Sequence, residues 1–328
     1  MSARSPGEFS LIELFLSRFA PARVLVGPGD DCAVLAPSRG AQCITTDAVV
    51  EDVHFTRAWF SPEDIGHKAL AVNLSDLAAM GARPRWFVCA LALPRDFPRR
   101  ELLGLARGMS ALAREHDIAL VGGNFTSARE LSITLTAAGE LPVGAPPLTR
   151  AGGRPGDLLY VSGTLGDARL GLVQLQRGSR RSPAILRQKR PLPRVALGRL
   201  APRFASAGMD VSDGLVQDLG HLCTASRVGA ELEPERLPLS RSVRASLGIE
   251  GALRGGEDYE LLLAVPPGRA VAFERACARA GEVVTRVGRL VEGPPGRIRD
   301  PHGHALHRLA GFDHFRGGGR IDRSGREG

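Results

Sequence analysis

At 328 residues, with 43% hydrophobic and 24% charged residues, the chain is long enough for two domains with their own cores, which excludes a wholly disordered or fibrous polymer. Its net charge of +8 does not mark a nucleic-acid binder: the basic residues are spread along the chain, and the densest run, Arg177 to Arg194, holds no aromatic residue for base stacking. No apolar run approaches the ~20 residues of a membrane-spanning helix. Glu13 and Arg18 interrupt the apolar N-terminal stretch, which argues against a signal peptide. The five cysteines, Cys32, Cys43, Cys89, Cys223 and Cys277, are scattered without CxxC spacing, so neither a disulfide framework nor a zinc site is indicated. A soluble, cytoplasmic protein without nucleic-acid or membrane partners is expected, with Cys89 as a small core residue.

In chain order, apolar periodicity predicts a helix over Glu8 to Phe19 and short strands at Cys32 to Leu35 and Gln42 to Thr46. A strong helix follows from Pro62 to Met80, stopped by Gly81. Then come a strand at Trp86 to Leu93, a helix at Arg99 to His116, and strands at Ile118 to Val121 and Leu131 to Glu140. Leu141 to Gly156, with four prolines and four glycines, reads as the domain boundary. Beyond it the pattern predicts a strand at Leu158 to Ser162 and helices near Leu165 to Gln176, Arg194 to Ser206 and Val216 to Ala225. Further strands are expected at Glu231, Tyr259 to Val265 and Val283 to Leu290. The order is mixed α and β. The domains are drawn at residues 1–145 and 146–315, followed by a disordered tail at 316–328.

Six carboxylate-bearing clusters stand out: Gly29-Asp30-Asp31, Thr45-Thr46-Asp47, Asn73-Leu74-Ser75-Asp76, Asp157, Asp210-Val211-Ser212-Asp213-Gly214 and Gly255-Gly256-Glu257-Asp258. Crowded carboxylates repel one another, so their convergence would require cations among them. Oxygen ligands without histidine or cysteine suit Mg2+, with Mn2+ as a substitute, and point to phosphoryl transfer. No GxxxxGK[ST] loop is present, so phosphate binding has to rest on metals, backbone and arginine. Each cluster also has a plainer reading. Gly and Asp favour surface turns, so Asp30 is as readily a turn residue as a ligand. Asp47 is placed at a strand terminus, and Asn73 and Asp76, three apart, share a helix face. His54 could be a satisfied polar residue at a strand edge, and Phe312 a packing residue or a ring that stacks on substrate. Asp218 and His221 read as helix-surface or capping groups.

The segments GEFSLIELF, GPGDDCAVL, TTDAVVEDVHF, DIGHKALAVNLSDLAAMGARP, MDVSDGLVQDLGHL, GGEDYELL and GFDHF resemble the thiamine-monophosphate kinase family, in the family's order, from Gly7 to Phe315. The wider superfamily includes aminoimidazole ribonucleotide synthetase, selenophosphate synthetase and a hydrogenase maturation factor, all users of ATP. The resemblance implies an α/β fold of two domains: an N-terminal mixed sheet with helices that dimerises through its sheet, and a C-terminal α/β sandwich. It implies transfer of the γ-phosphoryl of ATP to thiamine monophosphate, with several Mg2+ ions, in a homodimer. Carried onto this chain, Asp30, Thr45, Thr46, Asp47, Asp76, Asp210 and Asp213 match metal positions. Gly123, Asn124, Arg150 and Ser212 match ATP contacts, and His54, Glu257 and Phe312 match substrate contacts.

Two positions depart from the family pattern. Gly122-Gly123-Asn124-Phe125-Thr126 stands where members carry Gly-Gly-Asp-Thr-Thr, putting a neutral amide in place of a metal-binding carboxylate. Asp52 stands where glycine is common. An active kinase is therefore weighed against another ATP-using enzyme of the superfamily and against a non-catalytic nucleotide-binding homologue. Against the first alternative, the sequence has neither the cysteine in the N-terminal glycine-rich segment expected of a selenophosphate synthetase nor the C-terminal cysteine expected of the hydrogenase maturation factor, which favours the kinase.

Overall fold

The computed structural model describes residues 8–22 and 24–307. These fall into two compact units, and the break in the chain lies between Val143 and Gly144. Ser75–Arg83, the end of one helix and the turn after it, group with the second unit, although the surrounding residues belong to the first.

In the first unit, helix α1 (Glu8–Leu16) precedes strand β1 (Gln42–Val50), helix α2 (Pro62–Ala79), strand β2 (Arg83–Leu93), helix α3 (Arg99–Glu115) and strands β3 (Ala119–Ser127) and β4 (Ser132–Glu140). The sheet order is β1-β4-β2-β3, with β1 antiparallel to β4 and β2 parallel to β3. Alternation gives the sheet one covered face. Phe87 and Phe125 lie on it, meeting Phe19 at 6.1 Å and Phe15 of α1 at 5.6 Å between ring centroids. Helices α2 and α3 approach backbone to backbone. A Cβ at Gly66 would come within 2.1 Å of the Leu105 carbonyl oxygen, and one at Gly108 within 2.0 Å of that of Glu63.

In the second unit, strand β5 (Leu158–Ser162) is followed by helices α4 (Asp167–Gln176), α5 (Pro183–Lys189) and α6 (Val195–Leu200), strand β6 (Ala207–Val211), helix α7 (Leu215–Ser226) and strand β7 (Gly229–Leu232). Helices α8 (Arg241–Ser246) and α9 (Gly248–Leu253), strand β8 (Glu260–Val265), helix α10 (Pro267–Arg279) and strands β9 (Val284–Val291) and β10 (Ile298–Arg299) complete it. The six strands run in the order β10-β7-β9-β5-β8-β6. Every residue of β6 and β8 is buried, as expected of strands covered on both faces. Leu159, Val161, Met209 and Val211 join Leu215, Leu219 and Leu222 of α7 in one core. Tyr160 turns the other way, edge-on to Phe273 of α10 at 5.3 Å, and its hydroxyl donates to Glu274 at 2.6 Å. The unit is an α/β sandwich.

Several sequence expectations change. Cys32 to Leu35 is no strand, only an isolated bridge between Val26 and Val34. Strand β1 continues to Val50 because its alternation extends through the buried Val49, so Asp47 lies inside the strand and not at its end. The helix expected over Arg194 to Ser206 stops at Leu200 and tightens into a 3-10 turn at Ala201–Arg203, where Pro202 withholds an amide donor. Helices α5, α8, α9 and α10 and strands β6 and β10 lack a counterpart in the sequence reading. Asp157 is spent on structure: it is buried and accepts from the Arg154 amide at 3.0 Å and the Ser206 hydroxyl at 2.5 Å.

Candidate functional site

Three chain segments meet in the second unit. Strand β6 carries Asp210, which is 5% exposed and accepts from the Ser75 hydroxyl at 2.7 Å. Burial first, and then the neighbouring Asp76 carboxylate, push the Asp210 carboxyl up to about 7, against the pull of Ser75 and Arg150. Asp76 is half-buried on the last turn of α2. Asn73, expected to share its face, is fully buried and turns its amide back to the Ala69 carbonyl at 3.1 Å, leaving Oδ1 without a partner.

Beyond β6 the chain makes the Ser212-Asp213-Gly214 turn. Its three consecutive amides, at 3.1, 3.2 and 3.1 Å, all donate to one oxygen, Oδ2 of Asp218. Asp218 is 1% exposed, so of the two readings the sequence offered, helix surface or cap, it takes the second: it is the buried post around which the turn before α7 is wrapped. Burial, then the charges of Asp213 and Asp210, raise its carboxyl to about 8. Its one available signal was the spacing: a carboxylate one helical turn past Gly214 can reach back to the amides before the helix. Asp213 accepts from Gln217 at 3.2 Å, and His221 is exposed.

The third segment is the Gly255 to Tyr259 loop. It lies against the turn so closely that a Cβ at Gly256 would come within 2.7 Å of the Ser212 carbonyl oxygen. The Glu257 amide donates to that same oxygen at 2.7 Å, and Tyr259 donates to Val211 at 2.8 Å. Glu257 (φ 67°) and Tyr259 (φ 51°) both hold left-handed backbone without being glycine, the kind of strain that collects at working sites. Asp258, from the last of the six clusters, caps α4 by accepting from Gly166 at 2.6 Å and Ala168 at 3.2 Å. Enclosure of its carboxylate raises the pKa to about 8 despite those two amides.

The first unit places its residues differently. Asp30 is exposed in a turn and accepts from the Asp31 amide at 2.8 Å. Thr45 and Asp47 project from the covered face of β1, opposite the buried Ala137 and Leu135. Thr46 projects from the other face, where its hydroxyl donates to the Leu135 carbonyl at 3.0 Å and accepts from Thr136 at 3.1 Å. Asn124 lies opposite the exposed Ala90, on the open face of β3. Since β1 and β3 are the two edges of this sheet, three strand spacings or about 14 Å apart, Asp47 and Asn124 occupy opposite edges and opposite faces. Gly123 allows β3 its close approach to β2, since a Cβ there would come within 2.1 Å of the Cys89 carbonyl oxygen.

His54 belongs to the turn after β1. Its Nδ1 accepts from the Val50 amide at 3.1 Å, which leaves the proton on Nε2. The buried Lys68 donates to the His54 carbonyl at 3.1 Å and lies over the Phe60 ring at 5.5 Å. Asp52 in this turn has φ 60°, which explains why glycine suits the position and why Asp, tolerant of left-handed backbone, can replace it. A cavity of about 450 Å³ in this unit, lined by Arg57, Phe60, Phe97 and Arg107 among others, includes none of the sequence-predicted site residues. Phe312 lies outside the described residues.

Among the described residues no three His, Cys, Asp or Glu side chains stand close enough to hold a metal ion by themselves. That arrangement still fits Mg2+, which takes one or two carboxylates and completes its shell with water and substrate phosphate oxygens. The crowding of Asp76 on the buried Asp210 is what a cation would relieve.

Residues 29–141 match the AIR synthase related protein N-terminal domain, and residues 154–301 match the corresponding C-terminal domain. The thiamine-monophosphate kinase of Escherichia coli K12 is 40% identical over 324 residues, covering 94% of this chain and 98% of the relative. The crystal structure of a thiamine-monophosphate kinase from Stenotrophomonas maltophilia superimposes with a TM-score of 0.82 at 39% identity, covering 92% of this chain and 98% of that one. A structure of AaThiL complexed with AMPPCP and TMP superimposes with a TM-score of 0.77 at 34% identity, covering 96% and 99%.

Proposed function

Because the chain belongs to the AIR synthase related family and, within it, to the thiamine-monophosphate kinases, we propose that it carries out ATP-dependent phosphorylation of thiamine monophosphate by direct in-line transfer, aided by several Mg2+ ions. The observation that carries this reading is the identity of 40% maintained over nearly the whole of both chains. The relative solved with AMPPCP and TMP supports ATP and thiamine monophosphate as the two substrates.

The residues divide the work between binding and positioning. Asp30, Asp47, Asp76, Asp210 and Asp213, with Thr45 and Thr46, are assigned to the metals. Asn124 offers an amide oxygen and no charge. Gly123, Arg150 and Ser212 are assigned to ATP, and His54, Glu257 and Phe312 to thiamine monophosphate. Bound Mg2+ would offset the charge of the ATP polyphosphate and of the thiamine monophosphate group that must approach it, whose bare charges 4 Å apart repel by about 4 kcal/mol per pair at an effective dielectric of 20. Asp218 holds the Ser212 and Asp213 turn rigid, so that their groups face substrate without reorganising. His54, its Nδ1 tied to Val50, can present only an N–H at Nε2. No side chain is assigned as a covalent nucleophile.

The strand order of the first unit supports a homodimer. Asp47 and Asn124 cannot serve one metal through the same sheet, and a second copy supplying the other edge would bring such groups together. Ile44, 64% exposed, lies on the open face of β1. All five cysteines are free thiols, which supports a reducing, cytoplasmic setting, and no helix among the described residues is long and apolar enough to cross a membrane.

Incubation of the purified protein with ATP, Mg2+ and thiamine monophosphate should yield thiamine diphosphate and ADP in equal amounts. Incubation with γ-labelled ATP alone should leave the protein unlabelled. A stable label on any side chain would overturn direct transfer, and absence of thiamine diphosphate under all metal conditions would overturn the activity.

A further inference from the structure

Helix α5 sets Gln188 against Glu257. The Gln188 Nε2 donates to Oε2 of Glu257 at 2.5 Å, and Gln188 is only 3% exposed. Its own carbonyl, Oε1, is buried and accepts no hydrogen bond. The carboxylate fixes this orientation, since turning the amide over would press Oε1 against a carboxylate oxygen. The helix that carries Gln188 is itself held closely. A Cβ at Gly171 of α4 would come within 2.3 Å of the Ala184 carbonyl oxygen and 2.9 Å of the Gln188 Cβ.

For stability alone, glutamine is a poor choice at this position. It satisfies one donor and strands an acceptor in the interior, whereas leucine or methionine would fill similar volume without that orphaned acceptor, giving up only the hydrogen bond to the half-buried Glu257. What the amide does provide is its hydrogen bond to Glu257. A neutral amide orients the Glu257 carboxylate without neutralising it, as a lysine or arginine would, and without forcing a proton onto it, as a second carboxylate would.

We propose that Gln188 is a positioning residue for the thiamine end of the substrate: it holds Glu257 as an oriented anion toward a ligand that is cationic and bears an amino group, as thiamine does. The inference rests on the reading of Glu257 as a substrate contact. Both residues and the Ser212 oxygen that receives the Glu257 amide lie in the second unit, on or beside rigid elements.

Steady-state kinetics on the full chain test this. Gln188→Leu should raise the KM for thiamine monophosphate about tenfold, with kcat and the KM for ATP changed less than about twofold and a melting temperature equal to or above wild type. An unchanged thiamine monophosphate KM, or equal rises in both KM values with a lowered melting temperature, would overturn the proposal in favour of plain packing. Gln188→Glu provides a second readout should the leucine variant fail to fold. Protonated, it can still donate to Glu257. Ionised, it repels it, so its thiamine monophosphate KM should climb with pH relative to wild type, and a parallel pH profile counts against the proposal. Glu257→Gln separates the two levels. If it leaves that KM unchanged, the assignment of Glu257 fails; if it raises the KM while Gln188→Leu does not, only the role of Gln188 fails.

Discussion

Ser75 donates its hydroxyl to Asp210 at 2.7 Å, while the very next residue, Asp76, confronts the same buried carboxylate with a like charge. The two neighbours pull Asp210 in opposite directions, and in the absence of cations the repulsion is a burden on the fold. Asp76→Asn should therefore move stability and catalysis in opposite senses. Metal-free protein should melt at a higher temperature, while kcat at saturating Mg2+ falls by about 100-fold or more, because the proposed metal site loses a ligand charge. Near-normal turnover would remove Asp76 from the mechanism.

Asn124→Asp should lower the Mg2+ concentration needed for half-maximal activity. The carboxylate restores a Coulombic attraction that the amide on the open face of β3 lacks. A Mg2+ titration of both proteins checks this. If neither the requirement nor the rate changes, position 124 does not serve the metal. If the natural chain is inert at every Mg2+ and Mn2+ concentration and the variant recovers turnover, the natural chain is a non-catalytic homologue.

Asp218→Ala removes the acceptor of three converging amides and should destabilise the protein by about 1–3 kcal/mol for each amide left buried and unpaired. Urea unfolding gives the first number. Turnover should fall as well, since Ser212 and Asp213 lose their fixed geometry. Asp218→Asn, with one oxygen still able to accept, should lie between the two proteins in both measures.

Asp258 provides a pH dependence. Its folded pKa of about 8 lies above the ordinary carboxylate value of 3.8, so between these limits the native state holds a proton that the unfolded chain releases. Its contribution to stability is complete below about pH 4 and is lost as pH rises through about 8. Asp258→Asn does not titrate, so its stability should fall less steeply over that window in denaturation curves measured at several pH values. An identical slope would show that Asp258 is ionised throughout.

Much of the chemistry was legible in the sequence because it depends on residue type and local order. Oxygen donors at Asp30, Asp47, Asp76, Asp210 and Asp213, without histidine or cysteine among them, carry the sequence-based expectation of a hard cation and phosphate, whatever the fold. Helix α2 could be read from its long apolar periodicity and Gly81 stop, and strands β2 and β5 as apolar runs rich in strand-forming residues. Tertiary structure decided the rest. Strand β6 and helix α5 are too short to carry a decisive period, and the first is recognisable only once β8 pairs with it. Asp157, Asp218 and Asp258 look like the other carboxylates in sequence, yet each is enclosed and committed to backbone amides. Thr46 faces away from its neighbour Asp47 because strand side chains alternate, and Asn124 stands at the far edge from Asp47 because the order is β1-β4-β2-β3. A single chain of letters lists which groups can bind a cation. Which of them remain available for one is set by burial, register and strand order, since these determine which carboxylates the backbone has already claimed.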